Sequence, residues 1–432
     1  MEILQVVERY RSQFNALSRA RRDGLERVRE GAFERFSARG LPTLREEDWR
    51  YTSLEGIARV PFQPADPRRA EALTAERLGH LLLGNLGRLR LVFVDGRYAP
   101  ALSSPLLREG VEVGLLRGPV AGLGRCVDLD AQPFAALNTA FLADGALVRV
   151  SAELEDPVYL LHVSSGEGEP TVAHPRALVL AEPGSRFRVV EIYLGAGRGP
   201  TLTNALTELI AGPGAVVEHL KLQLEGEQAS HIGSLQVLQE SGSSVVSHLV
   251  SLGAKLSRSE TRVLLGGEGA SCVLNGLTLA SDGQHADALT VVDHAAPRCR
   301  SAQLYKSVLH GRSRGVFFGR IRVRPDAQKT EAHQTNRNLL LSDEAEADSR
   351  PQLRIDADDV VCTHGATVGQ LDAQALFYLR SRGISPEAAR SLLTRAFVDE
   401  VLDRLPVPQV HDQLSASLCA WMTRSLGSAG PQ

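Results

Sequence analysis

Apolar positions along this chain change their period twice. Near the N-terminus, Ile3, Val6, Val7, Tyr10, Phe14 and Leu17 recur every three or four residues with Glu and Arg between them, which predicts helix over residues 2–37. Gly24 and Gly31 weaken that helix and divide it. Residues 40–42 break the pattern. Residues 44–54, with Trp49, Arg50 and Tyr51, read as a packed loop or short helix rather than a ligand site, residues 61–67 as a linker, and residues 74–86 as a further helix. From Leu89 the period becomes that of a strand. Leu91-Val92-Phe93-Val94 followed by Asp95-Gly96 and Arg97-Tyr98 is a hairpin signature. Residues 125–145 turn helical again around Phe134, Leu137, Phe141 and Leu142.

The middle of the chain repeats. The pairs Val189-Val190, Val216-Val217, Val245-Val246 and Val273-Leu274 return at a nearly constant interval. A second series, Leu178, Leu206, Leu235, Val263 and Val291, keeps the same period. Gly184, Gly214, Gly242 and Gly269 stand just ahead of the first series, where turns belong. A unit of about 28 residues with two short strands has no room for a crossover helix, and it matches neither leucine-rich nor propeller repeats. A parallel β-helix remains, each coil stacking its strands ~4.8 Å from those of the next. The expected fold is mainly β: a right-handed parallel β-helix core over residues 89–369, with a mixed entry segment at 89–150, flanked by helical regions at 1–88 and 370–432. Later strands fit the same winding, whereas residues 342–350, with four acids, read as an acidic surface loop. His219 and His248 are expected to stack on adjacent coils in a hydrogen-bonded polar ladder on a coil edge, and His333 to be structural.

Beyond the repeats the period returns to that of helix. Asp372 caps a helix through Leu376 and Leu379 that Gly383 ends, and Ser385-Pro386-Glu387 starts the next. That second helix is expected to bury Leu392, Leu393, Phe397 and Leu402. A last helix spans residues 410–426, and residues 427–432 fray.

One stretch stands at the junction of strands and helices: Val361-Cys362-Thr363-His364-Gly365-Ala366-Thr367-Val368-Gly369. If residues 359–364 form a strand, Cys362 and His364 leave the same face, roughly 6.5 Å apart. Thiolate and imidazole at that spacing suit Zn, Fe or Cu. Two ligands do not close a site, and no neighbouring Cys or His completes it. The pair is either half of a site shared with another chain or an ordinary strand end.

Composition narrows the function classes. The 432 residues are 43% hydrophobic and 23% charged, with a net charge of −3, a globular balance that disfavours nucleic-acid binding. Five cysteines without CxxC spacing argue against a disulfide framework. No secretory signal or membrane span is evident, so a reducing, cytoplasmic setting is expected. None of the four lysines follows a glycine, which removes a P-loop, and HExxH does not occur. Nothing encodes a self-sufficient active site. A β-helix polysaccharide lyase or hydrolase needs grouped carboxylates and aromatic platforms, and only 5% of residues are aromatic.

Several longer segments carry a resemblance. Ala296-Pro-Arg-Cys-Arg-Ser-Ala-Gln-Leu-Tyr-Lys306, Gly311-Arg-Ser-Arg-Gly-Val316 and Ala327-Gln-Lys-Thr-Glu-Ala-His-Gln-Thr-Asn-Arg-Asn-Leu-Leu-Leu-Ser342 come first. The run from Asp358 to Asp372 and Ala375-Leu-Phe-Tyr-Leu-Arg-Ser-Arg-Gly-Ile384 follow, with Gly40-Leu-Pro-Thr-Leu-Arg-Glu-Glu-Asp-Trp-Arg-Tyr-Thr52 at the other end. Together they resemble the SufB/SufD family of iron–sulfur cluster assembly scaffolds, and the low cysteine count favours its SufD branch over SufB. The resemblance implies a β-helix core between helical ends and a non-catalytic subunit of a SufBCD complex. It implies pairing with SufB through the β-helices, and binding of the SufC ATPase through the C-terminal helices, here Leu376, Phe377, Leu379 and Arg380. It places His364, with Cys362 beside it, at the SufB–SufD interface, where a nascent iron–sulfur cluster is assembled. His364 is thereby a metal ligand shared with the partner chain. No cofactor is expected on this chain alone; flavin in the complex and a homodimer in isolation stay open, as do a SufB-like or purely architectural role.

Overall fold

Strands of alternating inward and outward side chains, joined by turns too short for a helix, must pair with the strand one coil earlier. A computed structural model describes residues 3–20, 23–66, 68–69, 73–81 and 89–426. It winds the chain into a parallel β-solenoid of about eight turns, two strands per turn. One wall, the first sheet, stacks Gly145–Val150, Arg176–Ala181, Thr201–Ala211, Ala229–Gln239, Leu256–Leu265, His285–His294, Arg314–Val323 and Glu346–Ile355. The second sheet stacks Val158–Ser164, Arg186–Gly195, Val216–Leu224, Ser244–Ser251, Ser271–Ala280, Arg300–Leu309, Thr330–Leu340 and Val360–Gly369. Residues 427–432 and the helix end expected at 82–86 lie outside the described residues.

The four turn glycines take the left-handed conformation their positions require, with φ between 65° and 72° at Gly184, Gly214, Gly242 and Gly269. Coil length is less regular than the sequence series implies. The inward column of the first sheet runs Val179, Leu209, Val237, Val263, Val292, Ile321, Leu353. Its steps are unequal, shortest from Val237 to Val263 and longest from Ile321 to Leu353, because turns lengthen and shorten independently of the strands. Leu206 accordingly pairs with Arg176 and Ser234, not with Leu178 and Leu235. Likewise Val217 pairs with Phe187 and Val245, not with Val190 and Val246.

The two ends of the solenoid differ. At the first coil, Arg90–Val94 pairs antiparallel with Arg97–Tyr98, the expected hairpin, its turn at Asp95 and Gly96 with φ of 47° and 77°. Beside it, Leu106–Arg108, Val111–Leu116 and Gly145–Val150 form an antiparallel meander. Reversed strands stop parallel stacking, so this end is closed. At the last coil, Glu346–Ile355 and Val360–Gly369 are the edge strands of their sheets, and among the described residues no strand is stacked on them. Residues 346–350 belong to that edge strand, which corrects the surface-loop reading of 342–350.

Helices cover the outer faces. α1 (Ile3–Ala20), α2 (Glu26–Arg39), α3 (Glu55–Arg59) and α4 (Ala75–Leu81) precede the solenoid, and Gly24, at φ 84°, separates the first two. α1, α2 and the short α5 (Pro133–Ala140) pack an aromatic cluster, including Phe14, Phe33, Phe36 and Phe141, against Val172, Leu202 and Ile232 of the first sheet. α5 is far shorter than the helix expected over 125–145.

Downstream come α6 (Ala373–Ser381), α7 (Pro386–Leu402) and α8 (Pro408–Leu426). Asp372 accepts from the Gln374 and Ala375 amides, and Ser385 from Ala388, so both predicted caps form. α7 and α8 bury Val398, Val401, Leu402, Leu414, Leu418 and Trp421 on the outer face of the second sheet. Leu402 is buried as expected and Leu393 and Phe397 are half-buried. Leu392 points to solvent, because the sheet contacts the face carrying Ala389, Thr394 and Val398 instead.

Candidate functional site

Cys362 and His364 lie on the strand Val360–Gly369, two residues apart, so their side chains share a face. Register shows which face. Cys362 continues the column Phe187, Val217, Val245, Cys272, Ser301, Ala332. His364 continues Val189, His219, Ser247, Leu274, Gln303, Gln334. Every earlier member of both columns is buried. Both side chains therefore point along the lumen wall. His364 is exposed only because no ninth coil covers it.

Cys362 is half-buried against Ile321, Ala332 and Leu353. That burial raises its thiol pKa, so the free chain holds it as thiol rather than thiolate. Displacing that proton is the cost a metal would have to meet. His333, one strand earlier, faces outward and hydrogen-bonds Thr363 at 2.8 Å, a structural contact. Among the described residues no group of three or more His, Cys, Asp and Glu is placed to hold a metal ion. The thiol and imidazole are half a ligand set.

The expected histidine ladder takes a different form. His219 pairs with Ser247, not His248; His248 faces outward between Leu220 and Asn275, because the coil from His219 is one residue too short to bring the two rings together. The ladder lies inside the lumen rather than on a coil edge. His219 Nε2 meets Glu191 Oε1 at 2.9 Å and its Nδ1 meets Ser247 Oγ at 2.9 Å, while the Tyr193 hydroxyl donates to Glu191. Burial alone would raise the Glu191 pKa, but hydrogen bonds and charge from His219, with the Tyr193 hydroxyl, outweigh it and hold the carboxyl at about 2. Carboxylate, imidazole and hydroxyl in that order resemble a hydrolase relay. The adjoining cavity is about 20 Å³, room for one water and no acyl group, so the column is structural. Lys221, on the same wall, is pushed down to about 8, chiefly by burial.

The second expected surface is α6. It contains Leu376, Phe377, Tyr378 and Leu379, yet none of its residues is buried; Phe377 is 74% exposed and Tyr378 57%. Leu376 and Leu379 are half-buried and Arg380 is exposed. The following α7 is fixed. Lys306, on the second sheet, donates to the Phe397 carbonyl at 2.8 Å, pairs with Glu400 and sits 4.3 Å from the centre of the Phe397 ring.

Two features escaped the sequence reading. One is the inward polar column beneath His364, visible only once true coil lengths are known. The other is a strap. Glu47 and Asp48 lie across the first sheet, Asp48 on Arg262 and Arg320, Glu47 on Arg320 and Arg350. Trp49 stacks on the buried Arg258 guanidinium at 3.9 Å. The reading of Trp49 as packed rather than ligating agrees with this.

Fold and site define a β-solenoid protein whose thiol–imidazole pair sits at the end where the last parallel coil is left without a further coil among the described residues. Among the described residues no helix is long and apolar enough to cross a membrane. The chain belongs to the SufBD family of iron–sulfur cluster assembly proteins: residues 162–397 match the SufBD core domain of the SUF system, and residues 2–159 the SufBD N-terminal region. It is similar to the iron–sulfur cluster assembly protein SufD of Escherichia coli, with 32% identity over 88% of this chain and 89% of that protein. A SufBD family protein of Synechocystis is 32% identical over 89% of this chain and 88% of its own length, and SufD of Bacillus subtilis 28% identical over 67% and 66%. Within the family the chain is SufD-like.

Proposed function

We propose that this chain is a non-catalytic, cytoplasmic scaffold subunit in which a nascent iron–sulfur cluster is held at a joint between two solenoids. The observation that carries the reading is that Cys362 and His364 point along the lumen wall and are uncovered only because the last coil is open. A SufB-type partner whose own edge strands pair with Glu346–Ile355 and Val360–Gly369 would cover both side chains and add the missing ligands. His364 then contributes an imidazole to the cluster, a cargo rather than a resident cofactor. The unburied face of α6, with Phe377 at its centre, takes a SufC-type ATPase, and α7 transmits its movement to the sheet through Lys306. In isolation the same open edge pairs two copies of this chain.

The test is co-expression with both partners, followed by iron and sulfide analysis of the purified complex. His364→Ala is expected to assemble normally and to lose most of the bound iron and sulfide. Unchanged loading would remove the imidazole from the joint. That outcome would favour a purely architectural subunit, a reading supported by the incomplete ligand set among the described residues.

A further inference from the structure

The lumen directly beneath His364 contains a hydrogen-bond acceptor with no donor. Gln334 is the register partner of His364 on the preceding coil, on the same inward face. It is 2% exposed, and its side-chain oxygen has no hydrogen-bond partner. Its amide nitrogen is committed in the other direction, donating at 3.3 Å to Gln303 Oε1, which also accepts from the Thr290 hydroxyl at 2.7 Å. Gly319 makes room for this arrangement: a Cβ there would collide with the Gln334 amide. A built amide column, Thr290–Gln303–Gln334, thus ends in a buried carbonyl oxygen one step below an exposed imidazole.

Leaving such an oxygen without a donor is unfavourable, so the fold retains it against a penalty. The donors around it are few. The Gln303 amide nitrogen is also unpartnered, yet it makes no bond to this oxygen, since the Gln303 oxygen is the atom that faces Gln334. On the opposite wall, Pro351 stands in register with Gly319 and has no N–H. The Ser349 hydroxyl is buried without a partner of its own and does not reach Gln334. Cys362 packs into the Ile321 and Leu353 cluster. His364 remains, in direct register.

A histidine that binds metal through one ring nitrogen keeps a proton on the other. That N–H is nearly always given to a carbonyl, carboxylate or water, which fixes the tautomer and the ring orientation. We infer that Gln334 is a positioning residue for His364: its side-chain oxygen takes the N–H of the ring nitrogen that does not bind metal. Covering the open end excludes the water that competes for that N–H, so the bond tightens as the joint forms. The inference rests on the proposed role of His364.

The experiment uses the co-purified complex with Fe(II) as probe. Gln334→Met keeps the volume and removes the acceptor, and is expected to weaken Fe(II) binding by roughly 10–100-fold. Gln334→Glu restores an acceptor and most of the affinity. Fe(II) binding unchanged in Gln334→Met but lost in His364→Ala overturns this inference and leaves the parent reading standing. Binding unchanged in His364→Ala overturns both. Should Gln334→Met fail to assemble, the wild-type complex decides the matter. With ¹⁵N-histidine in this chain only and Zn(II) as the diamagnetic probe, the resonance absent from His364→Ala is expected to show a ring N–H in slow exchange with water. A freely exchanging N–H overturns the inference.

Discussion

Space inside the solenoid is allotted side chain by side chain. A Cβ on Gly276 would fall within the Tyr305 ring of the next coil, and one on Gly233 would meet Lys221 Nζ, so each glycine is the cavity that a larger inward neighbour fills. Gly276→Ala is expected to cost about 2 kcal/mol through overpacking, read as a lower urea midpoint with an unchanged m-value. A midpoint equal to wild type would mean that Tyr305 has another place to go. At this scale the sequence was partly legible. The i, i+2 spacing of Cys362 and His364 gave their common face, since strand period alone decides it. That Gln334 stands under His364 was not legible, because the coil joining them is longer than the repeat in the middle of the chain suggests.

Among elements, the contrast is between α6 and α7, adjacent in sequence and opposite in anchorage. Phe377→Asp removes a ring that touches no core, so, on the proposed reading, it is expected to abolish co-purification with a SufC-type ATPase while changing the free chain's Tm by less than about 2 °C. A large drop in Tm would show that α6 packs on its own chain. The strap makes a second prediction. Glu47 joins Arg320 to Arg350, clasping the edge strand Glu346–Ile355 to its inner neighbour across the outer face of the sheet. Glu47→Ala is expected to speed amide exchange in 346–355 several-fold while leaving 314–323 protected; equal protection in both proteins would deny the clasp. The same contact explains why 342–350 read as a loop. Arg350 pairs with a segment near the other end of the chain, and no local pattern carries that information.

For the whole molecule, the expected consequence of so many polar groups under cover is acid lability. His162, His248 and His294 are each held at about 4, burial being the chief cause. Their folded-state pKa lies below the unfolded value near 6.5. As pH falls below about 6.5, the unfolded chain takes up protons that the folded chain refuses, so stability is full above that point and declines toward about 4. Glu191 acts in the same direction further down, its contribution being lost as pH falls through about 2. The urea midpoint is expected to fall steadily from pH 7 to pH 4.5, less steeply in His294→Gln; a flat profile would contradict the burial argument. The architecture itself was legible, because two strands and two turns in each repeat leave no other way to bury both walls. The register was not, since unequal turns shift columns that sequence periodicity holds constant.

A solenoid with two raw ends would add copies indefinitely, head to tail, and grow into a fibre. This one has a hairpin and an antiparallel meander at its first coil and bare edges at its last. Once two bare edges have met, neither molecule has a second one to offer. If the proposed joint forms through those edges, association would terminate at a pair, and a single seam per pair would limit the number of places where cargo can lodge to one.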